Sequence, residues 1–344
     1  MELKLNRPLA NTYGWLRVNG TRTQAAISSD VQLREELPEG VKAETGGEAL
    51  CPALKTGAGE DVTALLAGRR QRLYRVPQGV KVPDTLRLYF DFDETDAGAV
   101  VVLELADNSE LTVVMDYAGG IGTAAVQTRA LLGKNAVLRL AQIQRMNEDA
   151  RFINDVGARC EEGARVEWTR LVLGGKESFD GFSAALAGDG SSLTIDTGYR
   201  LAGDERLDMN YEAVHTGRKS NCEMTVAGVL SDRAFKLLRG TIDLRRGCAG
   251  AVGNEVEDVL LMDETVRNQT VPVILCAEED VVGNHGATIG RLDEQLIYYL
   301  ESRGLEREAA YEMMARARVD AVIRRIPDEK TVRSLLPEER EEEA

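Results

Sequence analysis

Histidine is nearly absent from this chain: His215 and His285 are the only two in 344 residues, and aromatic residues make up only 5%. A core with so few rings must be filled by Val, Leu, Ile and Ala. Cysteine is scarce too, with five at wide spacings and no Cys-x-x-Cys pair. An odd, scattered set argues against the disulfide framework of a secreted domain. Positive charge is in deficit, the formal net charge being −15, and no local basic patch stands out. The footprint that grips nucleic acid is therefore missing. No apolar run approaches the ~18 residues of a membrane span, and residues 1–7 lack the apolar stretch of a secretory signal. No Gly-x-x-x-x-Gly-Lys-(Ser/Thr) loop occurs, so no nucleotide site is expected on this chain. The expectation is a cytoplasmic protein with no nucleic-acid or membrane partner.

Glycine, by contrast, is plentiful at 33. Residues 1–72 read as a partly irregular, partly helical N-terminal segment, loose over 45–59. A short helix is predicted over 61–72, with Asp61 as N-cap and Leu65, Leu66 and Ala67 inward. From Leu73 onward short alternating segments are divided by Gly, Asn, Asp and Ser. A polar turn followed by an apolar strand starts near Leu111, Val137, Val166, Leu193 and Cys222, in steps of 26, 29, 27 and 29 residues. Such a period suggests a solenoid of β-coils. A sandwich with evenly spaced hairpins shares the pattern. After Gly290 the period turns helical: Leu292, Leu296, Tyr299 and Leu300 share a face, with Asp293 and Glu294 in the first turn. A second helix is expected over about 306–325, with Ala310, Met313, Met314, Ala317 and Ile323 among its apolar positions and Pro327 ending it. Unaided, this pair reads as a cap over the solenoid's end, followed by a charged tail over 328–344.

The strand-to-helix junction carries Asn284-His285-Gly286-Ala287-Thr288-Ile289-Gly290-Arg291-Leu292-Asp293, then Tyr298-Tyr299-Leu300 and Ser302-Arg303-Gly304-Leu305. His285 stands between Gly283 and Gly286, which lend the backbone freedom. This stretch resembles the C-terminal signature of the SufB/SufD family, scaffold proteins of iron–sulfur cluster assembly. Tyr74-Arg75-Val76-Pro77-Gln78-Gly79-Val80 resembles the start of that family's core, and Gly286, where SufB-type proteins carry Glu, makes the chain more similar to SufD. The resemblance implies a right-handed parallel β-helix over residues 73–290 and a C-terminal helical region over 291–327. It also implies a non-enzymatic SufD-like scaffold that works with a SufC-type ATPase and a SufB-type partner, or a second copy of itself. His285 would help build a transient iron–sulfur cluster at the interface between scaffold subunits. The helical region, with Tyr298, Tyr299, Arg303, Met313 and Met314, would dock SufC.

Two departures from the family qualify the site. Gly283 stands where SufD-type proteins have a cysteine, and the stretch 257–263, where SufB-type proteins have their acceptor cysteine, has none. Thiolates are natural sulfur acceptors and iron ligands. Cys222, Cys248 and Cys276 are spaced 26 and 28 residues, near the coil period, and so are candidates for a stacked column. Small buried hydrophobes are the plainer reading. His215 fits a coil-packing residue or a second metal candidate. The acids Asp91, Asp93, Glu94 and Asp96, and Glu278, Glu279 and Asp280, read as solvated turns rather than paired catalytic carboxylates. Two other functions stay open: an ATPase-docking subunit that binds no iron, and a carbohydrate-active β-helix enzyme.

Overall fold

The structure, a computed structural model, describes residues 1–12, 14–46, 54–93 and 96–336. Five short strands come first: β1 (Glu2–Leu5), β2 (Thr21–Gln24), β3 (Ser29–Asp30), β4 (Gln32–Glu36) and β5 (Lys42–Gly46). The coils then begin with β6 (Gln71–Val76), β7 (Leu86–Phe92), β8 (Ala97–Leu105), β9 (Glu110–Gly119), β10 (Thr123–Leu132) and β11 (Val137–Met146). They continue with β12 (Arg151–Cys160), β13 (Arg165–Val172), β14 (Glu177–Leu186), β15 (Ser192–Leu201) and β16 (Arg206–His215). The last are β17 (Asn221–Leu230), β18 (Phe235–Leu244), β19 (Ala251–Leu261), β20 (Arg267–Cys276) and β21 (Val281–Gly290). Even-numbered strands from β6 to β20 stack in one sheet and odd-numbered strands from β7 to β21 in another, every neighbouring pair parallel. The result is a β-solenoid of about eight turns.

Side chains alternate between the lumen and the outside, and the lumen positions form ladders. Leu111, Leu138, Val166, Leu193 and Cys222 stack rung over rung, as do Val113, Leu140, Trp168, Ile195 and Met224. All are buried, each worth about 1.5–3 kcal/mol against exposure. The predicted repeat therefore follows one sheet, with one correction: Leu138, not Val137, is in register with Leu111. Glycine and asparagine recur because each coil turns one corner through a left-handed residue: Asn108, Asn135, Gly163 and Gly190 have φ of 58, 53, 67 and 67°. That region penalises most side chains.

The N-terminal segment is more ordered than expected. Strands β4 and β5 pair antiparallel with β7 and β6 and so finish the first edge of each sheet. The helix α1 (Glu60–Leu65) is shorter than predicted and follows Gly59, while the Asp61 carboxylate accepts from the Lys4 N–H at 2.7 Å. Leu65 and Leu66 are buried as expected, but Ala67 is exposed. Part of the loose stretch, residues 47–53, lies outside the described residues. Residues 54–58 run across the even sheet's outer face. Asn210 donates to the Gly57 carbonyl at 2.9 Å, and the Ala58 N–H to Asp155 at 2.8 Å. The contact needs glycine beneath it, because a Cβ on Gly181 would sit 2.0 Å from the Ala58 nitrogen.

Helices α2 (Glu294–Ser302), α3 (Arg307–Ile323) and α4 (Glu329–Leu335) follow. The last was not expected; Asp328 caps it, accepting from the Thr331 N–H at 3.0 Å. Residues 337–344, the acidic end of the predicted tail, lie outside the described residues. The helical cluster packs on the odd sheet's outer face instead of covering the solenoid's end. Ala310, Ala315, Val319 and Ile323 lie in one cluster with the outward residues Ile143, Leu171, Val229 and Leu260. The buried stripe differs from the predicted one: Ile297 is buried while Leu296 and Tyr299 are exposed, and Met313 and Ala317 face solvent. No helix among the described residues is long and apolar enough to cross a membrane.

Candidate functional site

Because the helices lie along a flank, the C-terminal end of the solenoid is open. Among the described residues, strand β20 pairs only with β18, and β21 only with β19. Each therefore carries one row of backbone donors and acceptors without a neighbouring strand, the template for adding another chain. The N-terminal edge strands carry Arg34, Glu35, Glu36 and Glu44, whereas β21 has no Lys, Arg, Asp or Glu. Pro272 in the middle of β20 fits an edge strand, since it has no N–H to donate.

His285 sits in the middle of β21, in register with Glu255 on β19. Glu255, Glu257 and Val259 are buried at alternate positions, so His285 shares the lumen-facing parity of the final rung. It is exposed because no further coil covers it. The flanking glycines do not act through left-handed backbone, as expected from sequence: neither Gly283 nor Gly286 has positive φ. Gly286 has open space where a side chain would stand, leaving the approach beside His285 clear.

One rung below the mouth the lumen becomes charged. Lys236 on β18 is fully buried against Glu257, and Thr270 of β20 donates to Glu257 at 2.7 Å. Burial pushes the Lys236 ammonium down from its ordinary pKa, while Glu257 opposes that shift. Burial raises Glu255 to about 7, with the Glu257 charge adding to the effect and Lys236 opposing it. Glu255 fits because Gly240 opposite has no Cβ; one would meet its carboxylate at 2.2 Å. Sequence reasoning missed this layer. Its signal was present in Glu255 and Glu257, which occupy the parity that Met224 and Val226 fill one coil earlier.

The other candidates, Cys222, Cys248, Cys276 and His215, gather at one corner without forming a column. Cys222 stacks between Leu193 and Gly253, Cys276 is in register with Leu244, and Cys248 lies in the turn before β19. The spacing misled because Cys222 opens an odd-sheet strand, Cys276 ends an even-sheet strand and Cys248 lies in the turn between the sheets, so around that shared corner no two are in register. Burial drives the Cys222 thiol well above its ordinary range and also raises Cys248. Thiolates are the reactive form, so the Cys222 environment is that of a small hydrophobe. His215 is fully buried; its Nδ1 lies 2.8 Å from the Ser220 hydroxyl, which donates to the Gly217 carbonyl at 2.9 Å. Nδ1 therefore carries the proton, and Nε2 has no partner. Burial lowers His215 to about 4 and keeps it neutral. Of the acids, Glu278 accepts from the Gly247 N–H at 2.8 Å, and Asp96 from the Thr123 N–H at 2.6 Å, as turn-capping groups do. Glu94 lies outside the described residues. Among the described residues no three of His, Cys, Asp and Glu stand together as a metal-holding group. On the helices, Tyr298 and Tyr299 are 74% and 53% exposed, Met313 is exposed, and Arg303 lies over the Tyr299 ring at 5.3 Å. Met314 instead packs partly into the interface with the sheet.

A parallel β-solenoid with one capped end, one open end and a flanking helical cluster is the class of protein this geometry defines. Residues 93–318 match the family model described as SUF system FeS cluster assembly, SufBD core domain, and the chain belongs to that family. It is similar to the iron–sulfur cluster assembly protein SufD of Bacillus subtilis, 23% identical over 268 residues, covering 76% of this chain and 61% of the relative. Similarity to SufB of the same organism is 24% over 267 residues, covering 75% and 57%. For SufD of Escherichia coli it is 24% over 327 residues, covering 92% and 73%. The chain thus spans about three-fifths of the length of the Bacillus subtilis relatives it matches.

Proposed function

We propose that the chain is a SufD-like scaffold subunit of iron–sulfur cluster assembly, with the cluster as transient cargo rather than resident cofactor. The observation that carries this reading is His285, exposed on the last rung of a solenoid whose two final strands each have, among the described residues, a strand on one side only. A scaffold subunit docking on those edges, SufB-type or a second copy, brings its own ligands to an imidazole that is already free. His285 supplies one nitrogen to iron, and the partner completes the set. The exposed tyrosines and Met313 of the helical cluster receive the SufC-type ATPase, whose hydrolysis shifts the scaffold pair and lets the cluster pass on. Chemistry on this chain is ligand supply and positioning, in a cytoplasmic setting.

Anaerobic reconstitution with iron and sulfide, with SufC and a SufB-type partner present, tests it. His285→Ala is expected to lose the cluster's visible absorbance while the complex stays assembled. A mutant that loads like wild type overturns the role of His285 and leaves an ATPase-docking subunit that binds no iron, the reading that glycine at position 283 favours. Cys222, Cys248 and Cys276 are assigned no ligand role, and replacing all three with Ser is expected to leave iron loading unchanged.

A further inference from the structure

The outer face of the even sheet carries its side chains in columns, one residue per coil. The first column reads Thr123, Arg151, Glu177, Arg206, Phe235 and Arg267 from β10 to β20. Early in that column the charges are matched, since Arg151 gives Glu177 two hydrogen bonds at 2.9 and 2.6 Å. Later they are not. Phe235 stands where an acid would answer both Arg206 and Arg267. Each guanidinium lies over the ring instead, 4.8 and 5.1 Å from its centroid. Both arginines are exposed, and neither has an acid partner among the described residues. Stacking on a ring orients a guanidinium fork while leaving its N–H groups for another acceptor.

The loop joining β1 to β2 is clamped beside that column. Asp208, two residues along β16 from Arg206, accepts from Asn6 at 2.8 Å and from Thr21. The buried Arg239, on β18 with Phe235, pairs with Asp208 and donates to the Val18 carbonyl. At the loop's neck the Thr12 N–H donates to the Asn19 side chain at 2.7 Å. The clamp presents Trp15, 78% exposed, in the turn Gly14–Leu16. Arg7 and Arg17 are exposed on the same loop and also have no acid partner among the described residues. By contrast Arg22, Arg233 and Arg239 close by pair with Glu2, Asp204 and Asp208. Four unanswered arginines and an exposed tryptophan are thus held by neighbouring strands of a chain whose net charge is −15.

We propose that this corner of the even sheet docks an acidic segment of a protein partner. The partner's carboxylates take the forks of Arg206 and Arg267 in charge-assisted pairs. An apolar side chain of the same segment covers Trp15, which loses little conformational entropy because its loop is already fixed. Two strand spacings, about 10 Å, separate Arg206 from Arg267, the distance between residues i and i+7 on a helix. Nucleic acid fits less well. Its affinity grows with the number of phosphates neutralised, and four arginines stand against a net charge of −15. No residue of this corner lies on β19 or β21, so the inference stands apart from the role given to His285.

Fluorescence anisotropy at low salt tests it, with a labelled peptide of about twelve residues, Glu with Leu at every third position. The peptide is expected to bind wild type, to bind less tightly as salt rises, and to shift tryptophan emission to the blue. Trp168 is buried, so that shift reports Trp15. Arg206→Gln combined with Arg267→Gln should weaken binding about tenfold or more with unchanged melting temperature. Trp15→Ala, a change at an exposed site, should weaken it too and abolish the shift, while His285→Ala should bind like wild type. A peptide that does not bind, equal binding by the double variant, or an equal loss in His285→Ala overturns the proposal. So does a thymidine oligonucleotide of the same length that binds more tightly than the peptide, which would make the corner a nucleic-acid site.

Discussion

Two histidines with opposite environments carry the residue-scale argument. His285 is exposed at an unfinished edge, whereas His215 is sealed between Leu186 and Leu244 in one ladder. The pKa of His215 drops to about 4 in the fold because burial penalises the imidazolium, against its ordinary 6.5. The unfolded chain therefore binds the proton first. Stability from this group is complete above pH 6.5 and is lost as pH falls toward 4, by about 3 kcal/mol at full titration. His215→Leu, which continues the apolar ladder, is expected to flatten that part of the stability–pH curve. Urea unfolding at pH 8 and pH 4.5 checks this: the mutant's advantage should appear only at the lower pH. An equal slope in both proteins would place the acid sensitivity elsewhere; the buried Asp155, which burial raises to about 6, works the other way, because its proton is held more tightly in the fold and so favours the fold as pH falls.

At the scale of elements, the crossing strap and the flanking helices fix which surfaces remain free. The strap passes so close to Gly181 that a methyl group there displaces backbone. Gly181→Ala is expected to cost about 3 kcal/mol or more through overpacking. Gly190→Asn, at a turn glycine of φ 67° with nothing near it, should cost a few tenths; thermal unfolding of the two compares them. The helices are tied down at their far end by Asp328, which caps α4 and pairs with Arg87 at 2.6 Å. Asp328→Ala is expected to lose about 1–2 kcal/mol of helix docking, visible as faster amide exchange in α4 with β13 and β15 unaffected. Melting of the whole molecule in that mutant would mean the helices and the sheet are one cooperative unit. The predicted helical faces hold in part: Leu292, Ala310, Ile323 and Ile326 are buried, whereas Leu296, Tyr299, Met313 and Ala317 are exposed. On α3 the stripe that approaches the sheet closely includes Val322, which fits against Gly198, where a Cβ would stand 2.9 Å from it.

The whole molecule is a stack with unequal ends. The antiparallel strands β4 and β5 close one end, and the other offers β20 and β21. Each coil lends stability to its neighbours, so the last coil, supported on one side only, is expected to be the least protected. In amide exchange of the isolated chain, β20 and β21 should exchange well before β12 to β15, and both should slow when a scaffold partner binds. Uniform protection along the stack would mean the open end needs no partner. Periodic turns and alternating apolar residues were enough to make the coils from Leu111 to Cys222 and the two C-terminal helices legible, because those signals are local: a corner needs a left-handed residue, and a lumen needs every second side chain apolar; the histidine strand stood out only through its resemblance to a family signature. The sequence alone left open whether those coils formed a solenoid or a sandwich. The tertiary structure decided what depends on residues far apart: that the cysteines share a corner but no column, that Glu255, Glu257 and Lys236 form a charged layer, and that the helices lie on the flank. Neither period nor propensity records those outcomes, because they follow from which surfaces meet once the stack exists.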